Sequence, residues 1–146
     1  MRHIWSVFCR TALTDKDSNA VSLLECIDAI TAGFKGEEPP PDIPVNSTLV
    51  TFWRRSDPNG PERGRVRILL EGPDGKPIRE VPYQVDLSEH PSGRVTVGIL
   101  GLPYRGDGVY EFVVSLEDPE TGAPREVARL PVPVKVEHEP GGEDAT

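Results

Sequence analysis

Between residues 94 and 117 the chain reads RVTVGILGLPYRGDGVYEFVVSLE, and its apolar side chains keep a period of two. Tyr110, Phe112, Val114 and Leu116 share one parity, with Val109, Glu111, Val113 and Ser115 on the other; Val95, Val97 and Ile99 repeat the pattern upstream. Successive side chains of a strand point to opposite faces, so this period demands β-structure with one strongly buried face. Gly106 and Gly108 around Asp107 supply the positive φ angles of a tight reversal. The spacing predicts a β-hairpin with a longer loop.

Tyr110 follows Gly108 by two residues, at the start of the second run. The placement partly resembles the tyrosine corner of immunoglobulin-like sandwiches, where the phenol hydroxyl bonds back to upstream backbone. Asp107 lies one residue too close, and Phe112 stands where an antibody domain has its second cysteine. A corner tyrosine and an ordinary half-buried strand tyrosine are both open.

A chain of 146 residues is the size of one domain and buries about two-thirds of its unfolded surface without needing a disulfide or metal. Sixteen prolines and fourteen glycines against one methionine point to many turns and short strands. The net charge of −8 repels phosphate backbones and argues against nucleic-acid binding; Arg54–Arg55 and Arg63, Arg65 and Arg67 suit solvated strand faces. No stretch approaches the roughly 20 apolar residues of a membrane span, and no membrane partner is expected. MRHIWSVFCRTALTD lacks the clean apolar core and small-residue cleavage site of a signal peptide. The expected compartment is the cytoplasm, with both cysteines reduced.

Residues 3–13 are apolar on both parities, as in a strand covered on two faces, and the polar cluster Thr14–Asn19 reverses the chain. For 21–30 two patterns compete. Leu23, Ile27, Ile30 and Phe34 have helical spacing, with Ser22 and Glu25 as a capping box, whereas Leu24, Cys26, Asp28 and Ile30 follow strand parity. The short connection from an obvious strand favours a hairpin. In that hairpin Cys9 and Cys26 lie opposite each other, at a separation that overlaps disulfide geometry; two reduced core cysteines are the plainer reading.

The stretch 33–46 reads as a proline-rich loop. Strands are expected over 47–55, 65–71 and 79–87, with Val66, Ile68 and Leu70 and then Val81, Tyr83, Val85 and Leu87 inward, and GPDGKP at 72–77 as a turn. In the last strand, 126–136, Pro131 and Pro133 share one parity and delete N–H donors on one side, which predicts a protected edge strand; Pro82 hints at another. The domain is expected over 1–137, followed by a disordered acidic tail, 138–146. Seven to eight strands imply an all-β antiparallel β-sandwich of immunoglobulin-like or related topology, with an open barrel as the alternative.

Chemical motifs are sparse. Asp15, Asp17 and Asn19 begin like a calcium loop, but Ala20 replaces the glycine and Cys26 the bidentate glutamate. His3, His90 and His138 are scattered, and Cys9 and Cys26 form no CxxC pair, so no metal site is expected. His90 sits between Ser88 and Ser92 without an elbow or oxyanion motif. No phosphate-binding fingerprint is present. Asn46–Ser47–Thr48 matches a glycosylation acceptor, which matters only after secretion. No catalytic residue, cofactor or metal ligand is assigned.

The succession HIWSVFCRTALTD, SLLECIDAI, TLVTFWRR, RVRILLEGPDGKP and ILGLPYRGDGVYEFVVSLED resembles a family of small bacterial proteins, a domain of unknown function sometimes found on phage-like elements. The resemblance extends to about residue 136 and is most specific at Leu102–Phe112. It implies a β-sandwich and supports a strand at 21–30; it carries no catalytic residues. The expectation is a non-catalytic module that acts through loops or an exposed strand, with another protein as its partner. The 33–46 loop and the exposed side of Trp53–Arg55 are the first surfaces to test, against the plainer reading of a solvated loop and a partly buried core tryptophan. A small-molecule or carbohydrate-binding sandwich is the alternative and requires grouped exposed aromatics. An enzyme requires His90, His3 and carboxylates to converge. The oligomeric state is not legible.

Overall fold

A computed structural model describes residues 1–139. It contains nine strands: β1 (Arg2–Thr14), β2 (Val21–Cys26), β3 (Ile30–Phe34), β4 (Asp42–Arg54), β5 (Glu62–Glu71), β6 (Pro77–Leu87), β7 (Ser92–Pro103), β8 (Gly108–Glu117) and β9 (Pro124–His138). They make a four-stranded sheet, β2-β1-β4-β7, and a five-stranded sheet, β3-β9-β8-β5-β6. Every pairing is antiparallel except β3 with β9.

One core joins the two sheets. Phe8, Leu49, Trp53 and Val97 come from the first sheet; Val66, Ile68, Leu87, Tyr110, Phe112 and Val132 come from the second. Val97, Val66, Ile68, Leu87, Tyr110 and Phe112 lie on the parity expected of their runs, and each large apolar side chain removed from water contributes roughly 1.5–3 kcal/mol. Val113, on the opposite parity, is also 5% exposed, so the outward face of β8 is not wholly polar.

The strongest expectation from the sequence fails in its pairing. β7 belongs to the first sheet and β8 to the second, so residues 94–117 form an arch that crosses the core rather than a hairpin. An arch and a hairpin share the same sequence signature: two alternating runs about a glycine-rich reversal. The difference lies in Tyr110, which is fully buried. Its hydroxyl accepts the Arg105 N–H at 2.6 Å and donates to the Gly106 carbonyl at 2.8 Å. That is the backbone-directed bonding of a tyrosine corner, which ties the crossing loop to the core.

The strand reading of 21–30 holds against the helix, although the segment divides. β2 pairs with β1 in the first sheet, Cys9 opposite Cys26, and the chain then crosses to join β9 as β3. β4 begins at Asp42 rather than at 47, because Ile43 and Val45 alternate into the core around Pro44; the expected 33–46 loop shrinks to 35–41.

β9 is not an edge strand, since β3 flanks it. The proline argument holds for half of it: β3 pairing starts at Val134, immediately beyond Pro131 and Pro133. Where the ring nitrogens lack hydrogens there is no ladder, and where N–H groups return the ladder begins. β6, carrying Pro82, is an edge as expected. β9 runs through His138, one residue past the expected domain limit, and the Glu139 N–H still bonds the Phe34 carbonyl at 2.8 Å; residues 140–146 of the expected disordered tail lie outside the described residues.

Candidate functional site

Apart from Cys9 and Cys26, which face each other across β1 and β2, the residues weighed for chemistry stay apart or are occupied by local bonding. Both Asp15 carboxylate oxygens are engaged locally, accepting the Asp17 N–H at 3.0 Å and the Ser18 hydroxyl at 2.9 Å. These bonds hold the Asp15 carboxyl below its ordinary range, the Asp17 bond contributing most. His3 lies edge-on to Trp53 with Nε2 2.6 Å from Ser6 Oγ, and burial lowers its pKa against a backbone bond with Trp5 that raises it. His138 packs on Phe34 with Nε2 2.7 Å from the Gly36 carbonyl. His90 is exposed in the β6–β7 turn. Among the described residues no three or more His, Cys, Asp or Glu side chains cluster as metal ligands would.

At Trp53–Arg55 the plainer of the two expectations holds, a core tryptophan and not a binding surface. Trp53 is 0% exposed and donates its indole N–H to Thr51 Oγ1 at 2.7 Å. Arg55 is committed to structure, donating to the Leu87, Ser88 and Pro58 carbonyls. Arg54 alone of the three turns outward, over the Phe52 ring, which stacks on Trp5 at 5.4 Å.

A concavity of about 950 Å3 lies beside the N-terminus and is lined by Glu62, Arg63, Arg65, Tyr83, Glu117 and Arg125 among others. Its charges are largely answered within the chain. Arg63 faces Asp86 at 3.4 Å, and Glu117 receives Arg67 at 2.5 Å and Arg65 at 3.7 Å. The Met1 amino group bonds Ser56 Oγ and the Glu62 carboxylate. Burial pushes Glu62 upward, but those bonds together with the Ser56 N–H outweigh it and hold its pKa below the ordinary value. A wide cleft with paired charges binds ions weakly, because a ligand must first displace an internal partner.

The least satisfied surface is the outer edge of β7. β7 ends its sheet, and the Arg55 N–H bonds the Pro91 carbonyl at 2.9 Å, which makes Arg54 and Ser92 a non-hydrogen-bonded pair. Counting along the register in twos, Arg94, Thr96 and Gly98 turn their backbone N–H and C=O groups away from β4. Thr96 and Gly98 are exposed, and Leu100 next to them is 74% exposed, the most of any large apolar side chain described.

The other edges are blunted. β6 carries Pro77 and Pro82, β3 has five residues, and β2 has six and is interrupted by the left-handed backbone of Glu25, φ 55°. Sequence reasoning missed the β7 edge because it paired β7 with β8. The signal that would have found it is the conflict between a hairpin and a corner tyrosine, since a corner joins strands of opposite sheets.

No family model, curated protein or solved structure matches the chain.

Proposed function

We propose that this chain is a non-catalytic β-sandwich of immunoglobulin-like topology that binds another protein by strand addition at β7. The strand orders support the topology. Reading β1, β4 and β7 as strands A, B and E, and β9, β8 and β5 as G, F and C, would match the A-B-E and G-F-C parts of the immunoglobulin order and set Tyr110 at the E–F corner, with β2 as an addition beyond A and, among the described residues, no strand in the place of D. β3 then runs parallel to G at the sheet's end.

The observation that carries the binding reading is the edge of β7: backbone at Arg94, Thr96 and Gly98 with no strand partner among the described residues, beside an exposed Leu100. Folded domains ordinarily protect a long edge with proline, lysine, a bulge or a cover, and a bare one is a template on which an extended partner segment bonds main chain to main chain. The apolar Leu100 gives that segment an anchor.

The test is affinity capture from the native host at near-endogenous level, run in parallel on the natural chain, on Thr96→Pro and on Leu100→Lys, each first shown to keep its circular dichroism. Supporting the reading requires one reproducible protein that co-elutes with the natural chain and is lost from both variants. Recovery of the chain alone, or of the same protein with all three, overturns it.

A further inference from the structure

Cys9 and Cys26 face each other across β1 and β2. The Ile27 N–H donates to the Phe8 carbonyl at 2.8 Å, so Phe8 with Ile27 is the hydrogen-bonded pair and Cys9 with Cys26 is the neighbouring non-hydrogen-bonded one. Opposed Cα atoms in such a pair stand roughly 4.5 Å apart, inside the range that a disulfide spans. Both are free thiols here, and their surroundings differ: Cys9 is 0% exposed whereas Cys26 is open to solvent. The Cys9 thiol is held by no more than a weak 3.6 Å bond to the Thr11 carbonyl of its own strand.

The place of the pair matters as much as its spacing. Cys26 is the last residue of β2, next to the left-handed Glu25, and after it the chain leaves the first sheet to become β3 of the second. A bond at this point would fasten the root of that crossing to β1.

We propose that Cys9 and Cys26 are a redox pair, closed to a cross-strand disulfide by a low-molecular-weight disulfide. The Cys26 thiolate attacks one sulfur of the reagent, its S–S bond breaks, and a thiolate leaves. Cys9 then loses its proton and attacks Cys26 Sγ, expelling the second thiolate. The chain gives up two electrons and two protons, and the reagent is reduced to two thiols. The order follows from access and acidity. Burial first, and the nearby Cys26 second, push the Cys9 thiol up against a lowering bond with Thr11, so the exposed residue reacts with the reagent and the buried one resolves.

The experiment incubates the purified chain with oxidised glutathione, alkylates remaining thiols and measures the intact mass. The expected product is a monomer lighter by two hydrogens, with no alkylated cysteine and a Tm higher by roughly 5–10 °C, the effect of closing a loop of this length; dithiothreitol reverses both. Cys9→Ala is expected to stop at the glutathione adduct on Cys26. A persistent adduct on the natural chain, a disulfide-linked dimer, or two thiols still alkylated after oxidation would each overturn the proposal. The reading does not depend on β7, because the pair lies at the opposite side of the same sheet.

Discussion

The Tyr110 hydroxyl takes the backbone N–H of Arg105, 2.6 Å away, from a ring with no exposed surface. It also donates to the Gly106 carbonyl, so one phenol satisfies a donor and an acceptor of the only short segment that carries the chain from β7 to β8. Tyr110→Phe keeps the ring in the core and strands both backbone groups. The expected cost is about 1–3 kcal/mol, seen as a lower urea midpoint with an unchanged slope and an unchanged far-ultraviolet spectrum. An unaltered midpoint would reduce the corner to ordinary packing.

The same loop is held from a second side. Gly108 has φ +146°, and a Cβ there would stand 2.7 Å from Pro73 Cβ, in the turn between β5 and β6. Gly108→Ala therefore meets backbone strain and a collision together, for an expected loss of roughly 2–5 kcal/mol. Gly106→Ala, at φ +99° with open space around it, meets strain alone and is expected to lose about half as much. Pro73→Gly removes the obstructing carbon and should recover part of the stability of Gly108→Ala but none of that of Gly106→Ala, as thermal melts would show.

Face assignments were legible because burial follows parity, and parity is written directly in residues such as Val66, Ile68 and Leu70. Pairing partners were less legible. The alternation of Val95, Val97 and Ile99 states which side of β7 is buried and is silent on which strand lies next to it, so hairpin and arch look alike. Pro131 and Pro133 correctly marked missing donors, but the conclusion was local: the ladder resumes at Val134. Proline richness at 33–46 hid the start of β4, where Pro44 tolerates its strand position without an N–H. At Trp53 the sequence left a core tryptophan and a binding surface both open, because its neighbours are arginines while its parity with Thr51 and Leu49 points inward; the core reading holds. The β7 edge, as a property of what is absent beside a strand, leaves no mark on individual residues.

Trp53 and Thr51 form a wholly buried polar pair, the indole N–H 2.7 Å from the threonine hydroxyl. Thr51→Val retains shape and β-branching but leaves that N–H without a partner in the core. The expected loss is about 1–3 kcal/mol. Combining it with Trp53→Phe should give a double mutant whose loss is smaller than the sum of the two, by roughly 0.5–3 kcal/mol; strict additivity in denaturant would show the bond to be energetically idle.

Tyr104 donates its hydroxyl to Asp107 Oδ1 at 2.6 Å, and that oxygen also accepts the Val136 N–H at 2.9 Å, linking the crossing loop to β9. The bond to Asp107 pushes the Tyr104 pKa up to about 12, and the bonds from Tyr104 and then Val136 lower that of Asp107 from its ordinary 3.8. The two signs are opposite. Asp107 is depressed by folding, so its contribution is complete above pH 3.8 and fades as the pH falls through the lower folded value. Tyr104 is raised by folding, so its contribution is complete below about pH 10 and fades as the pH rises through about 12. Asp107→Asn removes the charge that holds the phenol protonated. The phenolate absorbance assigned to Tyr104, taken as the difference between each chain and its Tyr104→Phe counterpart, is expected to titrate near 12 in the natural chain and to move toward 10 in Asp107→Asn. Identical alkaline titrations in the two would mean that the bond does not persist in solution.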